Sequence, residues 1–192
     1  TPNFFHTLMV FLVRLENFFD FFLMIMVQFF LNHSPKKVNR NTDVIIENFK
    51  PGTLERLIGP IPEDIIVCSI SGFGATGPRM DEPGYDLSLQ ARSGIMSITG
   101  ESGNNPCKVG VAWIDVITGL NAGNAILAAL YDKEKTGKIR QIDISLWDCA
   151  ISALVNQAQN FLASGKNPKR MGTAHPNLVP YRAFESKDGW FV

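Results

Sequence analysis

Residues 43–78 read DVIIENFKPGTLERLIGPIPEDIIVCSISGFGATGP, and the fold class follows from that stretch. Residues 43–47 (DVIIE) form a short apolar, β-branched run of the kind a buried strand needs. Residues 48–52 (NFKPG) are a turn, and 53–58 a short helix. Residues 64–70 (DIIVCSI) predict a second strand that runs directly into the glycine loop SGFGATGP. The same alternation continues downstream. Residues 85–99 look helical, with Gly94 ending or kinking the pattern. Residues 115–131 predict an amphipathic helix with Ile117, Leu120, Leu127 and Leu130 near one face. Its small residues Gly119, Ala122, Gly123 and Ala125 allow close packing. Residues 140–145 (RQIDIS) predict a third strand. A helix over 146–164 then opens on a capping-box-like Ser145-Leu146-Trp147-Asp148 and stops at Gly165. Strands alternating with helices predict an α/β fold, a parallel sheet covered on both faces.

The 192 residues suffice for one good-sized domain or a piece of a larger one. Lysine plus arginine (18) balances aspartate plus glutamate (18), so the basic excess of a nucleic-acid binder is missing. Cys68, Cys107 and Cys149 are an odd, sparse set that writes neither a disulfide framework nor a CxxC-type metal site. His6, His33 and His175 are as scattered, with no HExxH or His-x-His pair.

Residues 1–34 differ in character from 35–192. Nine of the 14 phenylalanines fall within residues 4–30, and residues 4–31 carry only Arg14, Glu16 and Asp20 as full charges. Those charges divide the stretch into runs shorter than a bilayer span needs. It lacks the basic start of a secretory signal and the arginine- and serine-rich character of a mitochondrial presequence. As a helix it would be apolar nearly all round, to be buried or placed in lipid. Three roles stand for it: a membrane contact, a buried helix, or a segment outside the functional fold.

Gly72, Gly74 and Gly77 formally match GxGxxG after a strand. A dinucleotide site needs a helix start behind the third glycine, and Pro78 and Pro83-Gly84 oppose one. The glycines are better read as letting an extended loop pass close to a ligand or another backbone. Asp115 sits at the start of the long helix, where an aspartate commonly caps backbone N–H groups. There it is also placed to act as a carboxylate nucleophile, held ionised by the helix N-terminus. Asn48, Lys50 and Arg56 surround a strand-to-helix turn, either a solvated surface or a site for phosphate groups. Tyr85-Asp86 reads as a turn and helix start, and His175 as a structural loop histidine.

The strings DVIIENFKPGTLERL, SISGFGATGP, PGYD, GVAWIDVITGL and GTAHPNLVPYRAF occur in that order over residues 43–184. Together they resemble the class III CoA-transferases (CaiB/BaiF type), which include formyl-CoA transferase, carnitine CoA-transferase and α-methylacyl-CoA racemase. The last string is most similar to the succinyl-CoA:glutarate (hydroxymethylglutarate) members. The resemblance implies a Rossmann-like, doubly wound parallel sheet, with an unrelated-looking apolar helix at the N-terminus of this chain. It places the catalytic aspartate at Asp115 and implicates Asn48, Phe49, Lys50, Arg56, Tyr85 and Asp86 in binding CoA. It also implies an aspartyl-CoA thioester mechanism, with acyl-CoA and a carboxylic acid as substrates and no metal or permanently bound cofactor. The glycine loop is the expected source of oxyanion donors. Racemisation in this family needs a histidine at the Tyr85 position, and tyrosine, with an ordinary pKa of about 10, is a poor base near neutral pH.

Relatives of this kind are longer than the present chain and form interlocked homodimers. The chain stops at Trp190-Phe191-Val192 in what looks like a continuing strand, and the usual N-terminal CoA-binding segment is replaced by the phenylalanine-rich stretch. The expectation is a partial domain over 35–192 that carries the nucleophile and part of the CoA site. The alternative is a truncated, inactive CoA-binding or interaction protein. The resemblance implies a mitochondrial location, with the cytoplasm as the alternative.

Overall fold

Val44, Ile45 and Ile46 are 1%, 0% and 5% exposed, so this three-residue run is buried on both of its faces. In the computed structural model, which describes residues 11–13, 42–50 and 52–192, it forms strand β2 (Val44–Glu47) inside a four-stranded sheet. β1 (Phe11–Val13) precedes it, and β3 (Ile66–Ser71) and β4 (Ile142–Ser145) complete the order β1-β2-β3-β4. β2, β3 and β4 are parallel, with Ile46 opposite Cys68 and Cys68 opposite Ile142. β1 lies antiparallel along β2, with Phe11 opposite Ile46. The expected apolar N-terminal helix is therefore corrected at Phe11–Val13. These residues pair with the edge of β2, whose backbone groups would otherwise be left without partners. The rest of the phenylalanine-rich segment lies outside the described residues.

The two faces are covered by helices of different size. α1 (Thr53–Ile58) packs Leu54 against Ile45, Ile65 and Val67. α2 (Asp86–Ser93) and α3 (Ile95–Ile98) follow, divided by Gly94 in the left-handed region at φ 94°. α4 (Trp113–Thr136) covers the other face, setting Ala122, Ile126 and Ala129 on Val44, Ile46, Ile66 and Cys68. Its buried stripe runs through Ile114, Thr118, Ala122, Ile126 and Ala129. That corrects the expected stripe, because Leu120 and Leu127 are exposed. Small side chains let the helix approach the sheet, which turns the larger leucines outward.

A third cluster, Leu89, Ile95, Ile114, Leu146 and Ala150, joins α2, α3, the start of α4 and α5 (Leu146–Ser152). The expected single helix over 146–164 is two, since α6 (Val155–Ser164) starts after a break at Ala153-Leu154. β5 (Phe184–Ser186) and β6 (Gly189–Phe191) form a separate antiparallel hairpin. The cap at α5 is as read: the Asp148 N–H donates to Ser145 Oγ at 2.9 Å. Ser145→Ala is expected to lower stability by about 1 kcal/mol, read as a reduced urea midpoint at unchanged slope.

Candidate active site

The site is built where β3 and the turn before α2 meet the first residues of α4. β3 leads into the glycine loop, and at Gly72 the backbone lies directly against that of Gly84, with no room for a Cβ on either. Gly72 thus serves a close backbone approach, as read from the loop, whereas Gly74 and Gly77 take the left-handed region with no backbone against them. The Gly74 N–H donates to Ser71 Oγ (2.9 Å) and the Ala75 N–H to Asp143 Oδ2 (2.8 Å). Those two N–H groups are already bonded, so the oxyanion role expected of the loop does not fall to them. After Gly77 the chain passes through turns, and the next helix begins only at Asp86. The helix start that does reach the loop is that of α5, whose Trp147 N–H donates to the Gly72 carbonyl at 3.0 Å. The glycines do not run into a helix of their own, as the dinucleotide alternative requires.

Gly84 delivers Tyr85 and Asp86 to the start of α4. Tyr85 is the exposed residue preceding α2, and Asp86 is the first residue of that helix. Asp86 Oδ1 accepts from the N–H of Ile114 at 2.7 Å and of Asp115 at 3.4 Å. Its Oδ2 accepts from Gln90 Nε2 at 2.6 Å. Gln90 is fully buried; its Oε1 accepts from the Val109 N–H at 2.8 Å and its Nε2 reaches the Val111 carbonyl at 3.4 Å. The first turn of α4 is therefore capped by a carboxylate from another helix.

Asp115 is the third residue of α4, because the helix begins two residues earlier than its apolar pattern suggested. The preceding position is Ala112, which has no side chain to cap with. The capping role considered for Asp115 belongs instead to Asp86. Asp115 is half-buried, and its neighbour Ile114 is fully buried in the third cluster. Burial first, and the negative charge of Asp86 second, push the Asp115 carboxyl up to about 6. Among the described residues none donates a hydrogen bond to that carboxylate.

The other expected site residues lie at the carboxyl end of β2. Asn48 and Lys50 are exposed, and the half-buried Phe49 packs on the Ile45–Leu54–Val67 cluster. The Phe49 N–H donates to Glu47 Oε2 at 2.7 Å. Arg56 is turned onto its own helix start, with Nε 3.3 Å from the Gly52 carbonyl and a terminal nitrogen 2.9 Å from Thr53 Oγ1. Among the described residues, no hydrogen bond or ion pair links this group to Asp86 or Asp115. The structure brings together Asp86 and Asp115, with the exposed Tyr85 next to Asp86 in the chain, and leaves Asn48, Phe49, Lys50 and Arg56 as a second group.

Three polar residues that the sequence did not single out form a row across the sheet. Glu47, Ser69 and Asp143 occupy matching positions on β2, β3 and β4. Burial raises the Glu47 carboxyl above the ordinary range, against hydrogen bonds from Ser69 and Phe49. The available signal was a charged residue inside or ending an apolar strand run. Cys68, on the opposite face, is pushed up to about 12 by burial and stays a thiol. His175 is held in its loop as expected, its Nδ1 accepting from the Asn177 N–H at 3.0 Å. Among the described residues, no group of three His, Cys, Asp or Glu is placed to hold a metal ion.

A model of CoA-transferase family III matches residues 36–192. The succinate–glutarate CoA-transferase of Agrobacterium fabrum is 42% identical over 166 residues, covering 82% of this chain and 41% of the relative. The human succinyl-CoA:glutarate CoA-transferase is 45% identical over 156 residues, covering 78% of this chain and 36% of the relative. The crystal structure of a CAIB/BAIF family protein from Brucella suis superposes with a TM-score of 0.69 at 48% identity, covering 78% of this chain and 41% of that one. The chain thus spans about two fifths of the length of the relatives it matches.

Proposed function

The chain belongs to CoA-transferase family III, and from that premise we propose that it transfers coenzyme A from an acyl-CoA to a carboxylic acid through Asp115. The donor proposed is succinyl-CoA and the acceptor a dicarboxylate such as glutarate, in line with the names of the relatives. The observation that carries this reading is the Asp115 carboxylate itself. It is half-buried at the start of α4, relieved of capping by Asp86, and without a hydrogen-bond donor among the described residues.

In the proposed sequence, the Asp115 carboxylate attacks the thioester carbonyl and expels CoA thiolate, leaving a mixed anhydride. The thiolate attacks the Asp115 carbonyl of that anhydride, releasing the donor as its carboxylate and leaving CoA as a thioester on Asp115. The acceptor carboxylate attacks this thioester and again expels thiolate. The thiolate then attacks the acceptor carbonyl, forming the new acyl-CoA and restoring the Asp115 carboxylate. No net proton is taken up or lost. Burial removes water from the carboxylate and strengthens it as a nucleophile once ionised. Lys50 and Arg56 are the cations proposed for the CoA phosphates, with Arg56 exchanging its bonds to Gly52 and Thr53 for the ligand. Asn48, Phe49, Tyr85 and Asp86 complete the proposed CoA-binding set.

Exchange of labelled CoA between succinyl-CoA and glutarate, followed with the whole chain, tests the proposal. The expected pH dependence follows from the raised carboxyl of Asp115. Only the carboxylate attacks, so the rate of the first step should rise with pH and level off above about 6. At pH 5 it should be roughly one tenth of the plateau. A rate independent of pH between 5 and 8 would show that the Asp115 carboxyl is not raised.

The exposed apolar residues of α6 and the hairpin, among them Leu162, Trp190 and Phe191, favour a second reading. In it the chain binds CoA without turnover and serves as an interaction protein. Calorimetric CoA binding with no exchange would identify it. We extend the first reading to a homodimer and a mitochondrial compartment, with the cytoplasm as the alternative. Light scattering and cell fractionation test these two extensions.

A further inference from the structure

The hydrogen bonds around the start of α4 assign a role to Asp86 beyond contact with CoA. We infer that Asp86, itself fixed by the buried Gln90, is the positioning residue for Asp115: it takes over the cap of α4 and so keeps the Asp115 carboxylate unbonded and turned to reaction. This rests on the proposed nucleophilic role of Asp115.

An aspartate in the first turn of a helix ordinarily stabilises itself on the free backbone N–H groups of that turn. Here the N–H groups of Ile114 and Asp115 are both directed at Asp86 Oδ1. The second oxygen of Asp86 is held at 2.6 Å by Gln90 Nε2, so the carboxylate has little freedom to rotate. Gln90 in turn ties Val109 and Val111, the strand of chain that leads into α4. One side-chain pair on α2 therefore fixes the approach, the cap and the orientation of the first turn. The arrangement carries an electrostatic consequence, because Asp86 brings a negative charge toward Asp115 as it caps. Asp86 is the one charged side chain that acts on Asp115 among the described residues. From β4 and α5, which also pack on α4, Asp143 is bonded to the Ala75 N–H and Asp148 to Ser145 Oγ. Asp86 thus holds the nucleophile in place and delays its ionisation at once.

The test is an NMR titration of the Asp115 side-chain carboxyl carbon in the whole chain, with amide exchange at Ile114 and Asp115, for wild type, Asp86→Asn and Asp86→Glu. Asparagine keeps the shape and removes the charge, so the fold should survive. The Asp115 midpoint should fall by roughly half a pH unit or more, yet stay above the ordinary aspartate value because burial remains. Exchange of the Ile114 amide should speed up about tenfold as a charge-assisted bond becomes a neutral one. Asp86→Glu should bring the midpoint back toward wild type. An Asp115 midpoint and Ile114 exchange rate unchanged in Asp86→Asn would overturn the inference. Both readouts are independent of turnover. Failure of wild-type protein to form a CoA adduct would therefore sink the transferase proposal while the titration still reports on the cap.

Discussion

Asp115→Ala is expected to lower CoA transfer by at least about 10,000-fold, the scale on which covalent catalysis collapses when its nucleophile is removed. The loss should fall on turnover, with binding of CoA nearly unchanged, because the proposed phosphate contacts lie at Lys50 and Arg56. The fold should survive, since the cap of α4 comes from Asp86 and the buried anchor of that turn is Ile114. Asp115→Asn sharpens the point, for it should be as inactive as the alanine variant yet more stable than wild type above pH 6. The sign follows from the raised carboxyl. The native state binds this proton more tightly than the unfolded chain does, so the group's contribution to stability falls as pH rises from 3.8 through about 6. With allowance for its partial exposure, Asp115→Asn should gain about 1 kcal/mol at pH 8, and nothing below about pH 4. Urea midpoints at the two pH values check both statements.

Gly72→Ala, like its mirror change at Gly84, should be among the most damaging single-methyl changes in the described residues. A Cβ at position 72 would run into the backbone nitrogen and Cα of Gly84, and backbone cannot step aside as a rotamer can. We expect a loss of about 3 kcal/mol and a fall in Tm of about 6–12 °C. The effect should also reach the chemistry. Gly84 is followed by Tyr85 and Asp86, so pushing it away shifts the carboxylate that caps α4. Whatever protein remains folded should therefore react more slowly at Asp115, unlike Ser145→Ala, which should lose stability alone. Thermal unfolding combined with adduct formation on the folded fraction separates the two.

These effects show which parts of the molecule were legible in the sequence. The three parallel strands were, because runs such as Val44-Ile45-Ile46 and Ile66-Val67-Cys68 are continuous, apolar and largely β-branched, as parallel strands covered on both sides must be; β1, read as part of a helix, was not. Gly94 and Gly165 marked their helix ends because each takes the left-handed conformation that other residues avoid. The break between α5 and α6 was not legible, since Ala153-Leu154 contains no breaker and its position is set by packing. The true stripe of α4 was hidden for a similar reason. Hydrophobicity favours Leu120 and Leu127, whereas the distance to the sheet favours Ala122 and Ala129. At the site, the motif around Asp115 pointed to the nucleophile, but the choice between nucleophile and cap turned on where α4 begins. That start is fixed by Asp86, 28 residues away, and by Gln90, whose partners lie up to 21 residues away. Local spacing carries no trace of such bonds. The row Glu47–Ser69–Asp143 escaped for the same reason, as its members meet only through strand register.

The most direct measurement is the intact mass of the folded chain after brief incubation with succinyl-CoA, followed by hydroxylamine and peptide mapping. The account predicts a mass increase equal to one CoA thioester, located on the peptide containing Asp115, released by hydroxylamine and missing in Asp115→Ala. A folded wild-type chain that gains no mass, or an adduct that persists in Asp115→Ala, would contradict it.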